Sequence, residues 1–236
     1  MNMKKILFSL TISFILLLST NTFAQVLSES AKRKVTVGVD IYTDIWQYKV
    51  DGTFLPAGFR ARTINQGANV FIMYNLQMGE SLHSFSAGLG IRSVNMYTNS
   101  RVEDVKGDSI IFLLIPDKGA EKVDYKRTKI NMTYVEIPIE FKFRWESGFK
   151  FGVGFKAGYL IDSKEKYAGK RSATGPWEKV KHKDINYLED FAFGATLRVG
   201  YKWIQVFGYY QITNVFEVSR GPELYPVSVG ITITPF

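Results

Sequence analysis

The stretch Val135-Glu136-Ile137-Pro138-Ile139-Glu140-Phe141-Lys142-Phe143-Arg144-Trp145 decides the fold class of this chain. Large apolar side chains occupy every odd position, and charged residues or proline occupy every even one. Because successive side chains of a β-strand point to opposite faces, this alternation predicts a strand with one apolar and one charged face. The segment is longer than the five or six residues usual in soluble sheets, and it matches the ~9–11 residues that cross a bilayer at a tilt.

The same period of two recurs along the chain and predicts eight strands. Their approximate bounds are 35–48, 64–78, 82–97, 129–145, 149–161, 188–201, 203–216 and 227–236. The connections after the second, fourth and sixth strands are tight, whereas the others are longer, above all 99–128 and 162–187. This asymmetry predicts an all-β, eight-stranded antiparallel up-and-down transmembrane β-barrel with short periplasmic turns and long external loops.

The side chains on the two faces favour a membrane barrel over a soluble one. A soluble barrel of the lipocalin kind would turn its apolar face inward and its charges outward. Here the polar face is rich in Gly, Ser, Thr and Asn, which suit the narrow interior of an eight-stranded barrel. The apolar face is bulky and carries aromatic residues near the strand ends, where interfacial girdles form: Tyr97, Trp145, Phe149, Tyr159 and Tyr201.

The first residues predict export. Lys4 and Lys5 precede an apolar stretch, and Thr22-Phe23-Ala24 follows it, which is the pattern of a signal peptide over 1–24. A short periplasmic segment, 25–33, and a barrel domain, 34–236, would follow, with the protein in the outer membrane. The chain has no cysteine, which excludes an acylated lipoprotein and a disulfide scaffold. The net charge of +8 suggests outer-leaflet lipid and lipopolysaccharide phosphates as partners, or acidic proteins of the envelope or of a secretion machinery, rather than nucleic acid. Lysines that only keep the loops soluble are the alternative.

The charged face is predicted to line the lumen, where buried charges must be paired. We therefore expect a structural network of ion pairs, with a charged pore or a catalytic carboxylate pair as alternatives. Glu136 and Glu140 would stand roughly 13 Å apart along a strand, too far to share one water. The expected lumen residues are Asp40, Asp44, Arg92, Glu136, Glu140, Lys142, Arg144, Lys150, Lys156, Asp190 and Arg198.

The sequence offers little for an enzyme. Its two histidines are His83, beside a predicted turn, and His182, in a lysine-rich loop. His83 precedes Ser84, but adjacent residues of a strand point to opposite faces, which weakens them as a catalytic pair. No phosphate-binding loop, metal-ligand spacing or nucleophile elbow is present, and we expect no enzyme activity and no cofactor or metal.

Two segments of the long loops are candidate contact surfaces. The apolar run 110–116 predicts either a continuation of the flanking strands as a hairpin or a partner-binding patch made of Ile111, Phe112, Leu113 and Leu114. The basic stretch that follows the fifth strand predicts either a solvated charge run or contacts with lipopolysaccharide phosphates through Lys164, Lys166, Lys170 and Arg171.

The segment Tyr134–Phe143 resembles the tyrosine, hydrophobic residue, glutamate, isoleucine, proline motif of PorT-like outer-membrane β-barrels. Proline inside a strand is unusual, which makes the motif specific. The Gly-rich strand after it and the final Phe236 are also similar to that family. The resemblance implies the barrel fold and no catalytic residues. The name-giving member takes part in type IX protein secretion, so an accessory part in secretion is an alternative to a structural or binding role. A narrow passive channel and a lipid-modifying enzyme are the others.

Overall fold

The computed structural model describes residues 34–119 and 121–235. The predicted signal peptide 1–24, the segment 25–33 and Phe236 lie outside these residues. Within them, no helix has the length and apolarity needed to span a bilayer. Eight strands form the barrel: β1 Val35–Tyr48, β2 Gln66–Gln77, β3 Ser84–Thr98, β6 Tyr125–Arg144, β7 Phe149–Lys170, β9 Phe191–Tyr201, β10 Ile204–Gln211 and β11 Leu224–Ile233. Three shorter strands lie in the loops: β4 Ser100–Val102, β5 Phe112–Leu114 and β8 Trp177–Lys183.

The barrel closes through antiparallel pairing of neighbours. The strand order is β6-β3-β2-β1-β11-β10-β9-β7, and β6 also pairs with β7. Every barrel strand therefore has a partner on both sides, which leaves none of these strands as a sheet edge, as a bilayer requires. The predicted fold class is confirmed.

The faces have the orientation of a membrane barrel. In β1, Asp40 is fully buried and Tyr42 nearly so, whereas Ile41 between them is 59% exposed. Outward aromatic residues mark both ends of the wall: Trp145, Phe149 and Tyr201 near the short turns, and Tyr159, Phe191 and Tyr210 near the long loops. The apolar side chains therefore face lipid, and the polar ones fill the interior.

Strand β7 continues nine residues past its predicted end and turns over on the way. Thr133 pairs with Asp162 but Tyr134 pairs with Leu160, so Ile161 is an extra residue in the ladder. Such a bulge switches the faces of the strand. Beyond it, Glu165 is buried and Lys164 and Lys166 point outward. Strand β10, in contrast, ends at Gln211, earlier than the predicted 216.

The long connections fold over the external end and pack together as a cap, defined here as residues 49–65, 99–124, 184–190 and 212–223. Leu55, Ile110 and Phe216 are fully buried in its core, and Phe112 is 1% exposed. The Phe112 ring meets that of Phe59 edge-on, with centroids 5.3 Å apart. Main-chain bonds link the loops as well, for example from the Phe112 N–H to the Phe54 carbonyl (2.9 Å). The cap closes the external end of the lumen.

Candidate functional site

The lumen contains a continuous network of buried ion pairs. Arg92 pairs with Glu136, and Arg198 pairs with Glu140. Lys156 Nζ lies 3.3 Å from Glu136 Oε2 and 3.6 Å from Asp40 Oδ2. Arg198 Nη2 also donates to Asp40 Oδ2 (2.9 Å). All six side chains are at most 3% exposed, so each charge is paired where water does not reach it.

Aromatic rings complete the filling, which the sequence analysis did not foresee. Tyr134 and Tyr209 flank the guanidinium of Arg92, with ring centroids 4.9 and 4.7 Å from Cζ. Phe71 and Phe207 flank Arg198 in the same way, at 4.9 and 4.8 Å. In the sequence these rings occupy the same alternating positions as the inward polar residues, and this phase was the signal that could have predicted their place in the lumen. Cation–π contacts strengthen when desolvated, so the rings stabilise the buried cations as well as excluding water.

Five expected lumen residues lie outside this network: Asp44, Lys142, Arg144, Lys150 and Asp190. Asp190 is exposed, because β9 begins one residue later and the chain there belongs to the cap; the prediction for Asp190 is wrong. Lys142 and Arg144 point inward but pair with no carboxylate among the described residues. Both donate instead to Thr36 Oγ1 at 3.2 Å, at the periplasmic end. Asp44, fully buried, accepts a hydrogen bond from Ser228 Oγ (2.6 Å).

The apolar run is not a free surface patch, which corrects the predicted partner patch. Phe112 is buried in the cap, and Ile111 and Leu113 are half-buried. Of the four residues of the predicted patch, Leu114 alone is exposed, at 38%. The run contributes β5, Phe112–Leu114, which pairs antiparallel with β4; the hairpin alternative holds to this extent, but the ribbon is separate from the barrel sheet and does not continue the barrel strands. Covering the external end of the barrel requires an apolar loop, which explains the run.

The basic loop residues divide into two groups. Lys166 on β7 lies directly between Lys129 on β6 and Lys181 on β8. Lys164 is the cross-strand partner of Lys183, one pair further down. These five lysines, named here the basic face, share the outer side of the extended hairpins. Lys170 and Arg171 instead lie at the hairpin tip, paired with Asp124 (3.8 Å) and Glu178 (2.9 Å), so they add little net charge.

The lysines of the basic face are only partly neutralised. Lys164 pairs with Asp162, and Lys129 donates to Asn95 Oδ1 (2.7 Å) and lies over the Tyr97 ring. Burial lowers the pKa of Lys166, and the charges of Lys129 and other neighbouring cations lower it further. Sequence reasoning missed Lys129, because its place in the row depends on the β6–β7 register rather than on local composition.

The two histidines lie at opposite ends of the molecule. His83 packs beside the Phe143 and Trp145 rings at the periplasmic end, with centroids 5.5 and 5.9 Å away. His182 is exposed on β8, at the other end of the molecule. Across residues 34–119 and 121–235, no three His, Asp or Glu side chains converge as metal ligands would.

Comparison with solved structures shows similarity to outer-membrane barrels. The attachment invasion locus protein Ail of Yersinia pestis is 11% identical, with a TM-score of 0.40, over 85% of this chain and 97% of its own. The outer membrane protease OmpT of Escherichia coli is 12% identical, with a TM-score of 0.36, over 85% of this chain and 93% of its own. No curated protein matches the sequence. The family model described as outer membrane protein beta-barrel domain matches residues 23–217, most of the chain, and this protein therefore belongs to that family of the outer membrane.

Proposed function

We propose that this protein is a sealed, non-enzymatic barrel that works through its external surface, where the basic face binds the phosphates of outer-leaflet lipopolysaccharide. The observation that carries the proposal is the row Lys129, Lys166 and Lys181, three lysines side by side on three neighbouring strands. Like charges directly opposite each other destabilise a sheet, so an external anion would relieve a cost built into the fold.

The position of the basic face fits this ligand. Tyr159, 49% exposed on the outer wall, marks the external boundary of the lipid-facing surface. Lys164 follows five residues later on the same strand, ~17 Å along it and less in height because barrel strands tilt. The lysines therefore stand above the hydrocarbon layer, beside the head groups, while the inner side of the hairpin packs on the cap through Tyr167 and Val180.

Binding of purified lipopolysaccharide to the detergent-folded protein tests the proposal. Each lysine near an anionic surface contributes about 1 kcal/mol, so the triple variant Lys129→Gln, Lys166→Gln, Lys181→Gln should bind about 100-fold more weakly. The matched control replaces Lys49, Lys118 and Lys122, exposed lysines of the other loops, and should bind like the wild type. Equal binding of both triple variants, or equal binding of dephosphorylated lipopolysaccharide, would refute the proposal.

The filled lumen supports a barrel that does not conduct ions. The cavity at the periplasmic end of the lumen measures about 20 Å³, space for about one water. We therefore expect no reproducible conductance steps in planar bilayers; regular steps would favour the passive channel. A lipid-modifying enzyme would show itself as altered lipid A masses in a deletion strain, which we do not expect.

A second candidate is membership of the PorT-like group and an accessory part in a type IX-like secretion machinery. It rests on the resemblance at Tyr134–Phe143. In that segment Glu136 and Glu140 hold the lumen cations, and Pro138 between them is also buried. The secreted proteome of a deletion strain separates the two roles. Loss of a class of exported proteins, restored by complementation, would establish secretion; an unchanged proteome would leave the binding role.

A further inference from the structure

The periplasmic mouth of the lumen gathers three cations that have no carboxylate partner, and the acid beside them, Glu140, is already paired with Arg198. Lys142 and Arg144 on β6 and Lys150 on β7 all face inward within the last turn of the wall. Arg144 is the direct cross-strand partner of Lys150, and Lys142 is paired with Gly152. Two like charges directly opposite each other destabilise a strand pair. The three inward cations at the end of this strand pair therefore destabilise the ligand-free protein.

Nothing charged on the described chain compensates these side chains. Lys142 Nζ donates to Thr36 Oγ1 and Asn75 Oδ1, both at 3.2 Å, and Arg144 Nη2 donates to the same Thr36 oxygen. These acceptors are neutral. The lumen carboxylate that lines the same cavity, Glu140, forms its ion pair with Arg198. Among residues 34–119 and 121–235, therefore, no carboxylate forms an ion pair with Lys142, Arg144 or Lys150.

The same residues line the cavity at the mouth. Beside the cations the walls carry the neutral donors Thr36, Gln205 and Thr234, and the ion pair of Glu140 with Arg198. The volume of about 20 Å³ is space for about one water, so only a terminal oxygen of a larger group enters, end-on from the periplasm. Converging ammonium, guanidinium and hydroxyl donors are the groups that bind phosphate oxygens.

We propose that the periplasmic mouth, formed by Lys142, Arg144 and Lys150, is a binding site for a phosphate-type oxyanion that enters end-on. The site is distinct from the basic face, which lies at the other end of the molecule and outside the wall. The oxyanion is either free phosphate or the phosphate of an inner-leaflet head group, since both present the same oxygens to the periplasmic rim.

Thermal unfolding of the full-length protein in nanodiscs tests the proposal. In phosphatidylcholine discs at constant ionic strength, replacing chloride by inorganic phosphate should raise the unfolding temperature of the wild type. Arg144→Gln and Lys150→Gln should bind phosphate about 10-fold or more weakly, as expected when a charged hydrogen bond is lost. Without phosphate both variants should be at least as stable as the wild type, because the like-charge contact is relieved. A variant that merely misfolds would not combine weaker phosphate binding with stability at or above that of the wild type.

The controls separate the site from general charge effects. Lys202→Gln, in the neighbouring periplasmic turn, removes one charge outside the mouth and should keep the full phosphate response. Lys150→Arg should also keep it. If the unfolding temperature of the wild type rises only in phosphatidylglycerol discs, and that of Arg144→Gln does not, the bound oxyanion is the phosphate of the lipid head group. An equal phosphate response in Arg144→Gln, Lys150→Gln and wild type, or an equal response to chloride and phosphate, would overturn the proposal.

Discussion

Replacing Glu136 by Gln should strongly destabilise the barrel, because this carboxylate neutralises two buried cations. It pairs with Arg92 and lies 3.3 Å from Lys156 Nζ. Removing one partner of a buried ion pair costs about 3–5 kcal/mol. The low end applies here, since Lys156 keeps Asp40 at 3.6 Å and Arg92 keeps the Gln211 amide oxygen at 3.2 Å. We expect the free energy of unfolding to fall by about 3 kcal/mol.

Urea unfolding in lipid vesicles, followed by tryptophan fluorescence, measures this loss. With a slope of about 1–3 kcal/mol per molar urea, the midpoint should fall by roughly 1–3 M. Glu146→Gln, in the exposed periplasmic turn, is the matched control and should stay within about 0.5 kcal/mol of the wild type. Replacing Arg92 and Glu136 together by Met should recover much of the loss, because no unpaired charge remains. A Glu136→Gln effect no larger than that of Glu146→Gln would refute the assignment of Glu136 to the network.

Three further changes test other parts of the fold. Phe112→Ala should make the cap sensitive to protease, while the barrel keeps its shifted migration on unboiled gels. Leu114→Ala is the control and should leave the cap resistant. Identical cleavage patterns for the two variants would contradict the buried position of Phe112. Gly38→Ala should cost about 1–3 kcal/mol in urea unfolding, because its Cβ would lie 2.3 Å from an inward aromatic ring, whereas Gly208→Ala meets nothing within 4 Å and should be neutral. Burial raises the pKa of Glu165 above its usual 4.5, so the folded state binds the proton more tightly and the cap should lose stability as pH rises above 4.5. Glu165→Gln should abolish this loss of cap stability, measured by hydrogen exchange of cap amides between pH 4 and 7. The same pH profile in the variant and the wild type would contradict the role of Glu165.

The barrel could be predicted because its determinants are local. The alternation in 135–145 and in seven other segments shows which residues face lipid, and the loop asymmetry shows which end is periplasmic. Both depend on residues close together in the sequence. The positions of Asp40, Arg92 and Glu136 inside the lumen follow from the same period of two, and the pairs follow once a closed barrel brings them together.

The features that could not be predicted depend on non-local contacts. The bulge at Ile161 turns β7 over, and nothing in the alternation before it announces the change. The row of Lys129, Lys166 and Lys181 needs the register of three strands. Asp190 continues the inward phase of β9 in sequence, but the strand begins only at the next residue. The burial of Phe112 depends on Phe54, Phe59 and Phe216, which come from other loops.

The ion pairs of the lumen have a consequence for biogenesis. Arg198 on β9 reaches Asp40 on β1 and Glu140 on β6, and none of these strands is its neighbour in the sheet. A partly assembled sheet would therefore hold these charges unmatched, and a cation facing lipid at mid-depth costs about 2–4 kcal/mol. Insertion of separate hairpins is disfavoured for this reason. We therefore expect the sheet to remain hydrated or bound to a chaperone until its first and last strands pair. Barrel closure, dehydration of the lumen and insertion into the bilayer then form a single concerted step.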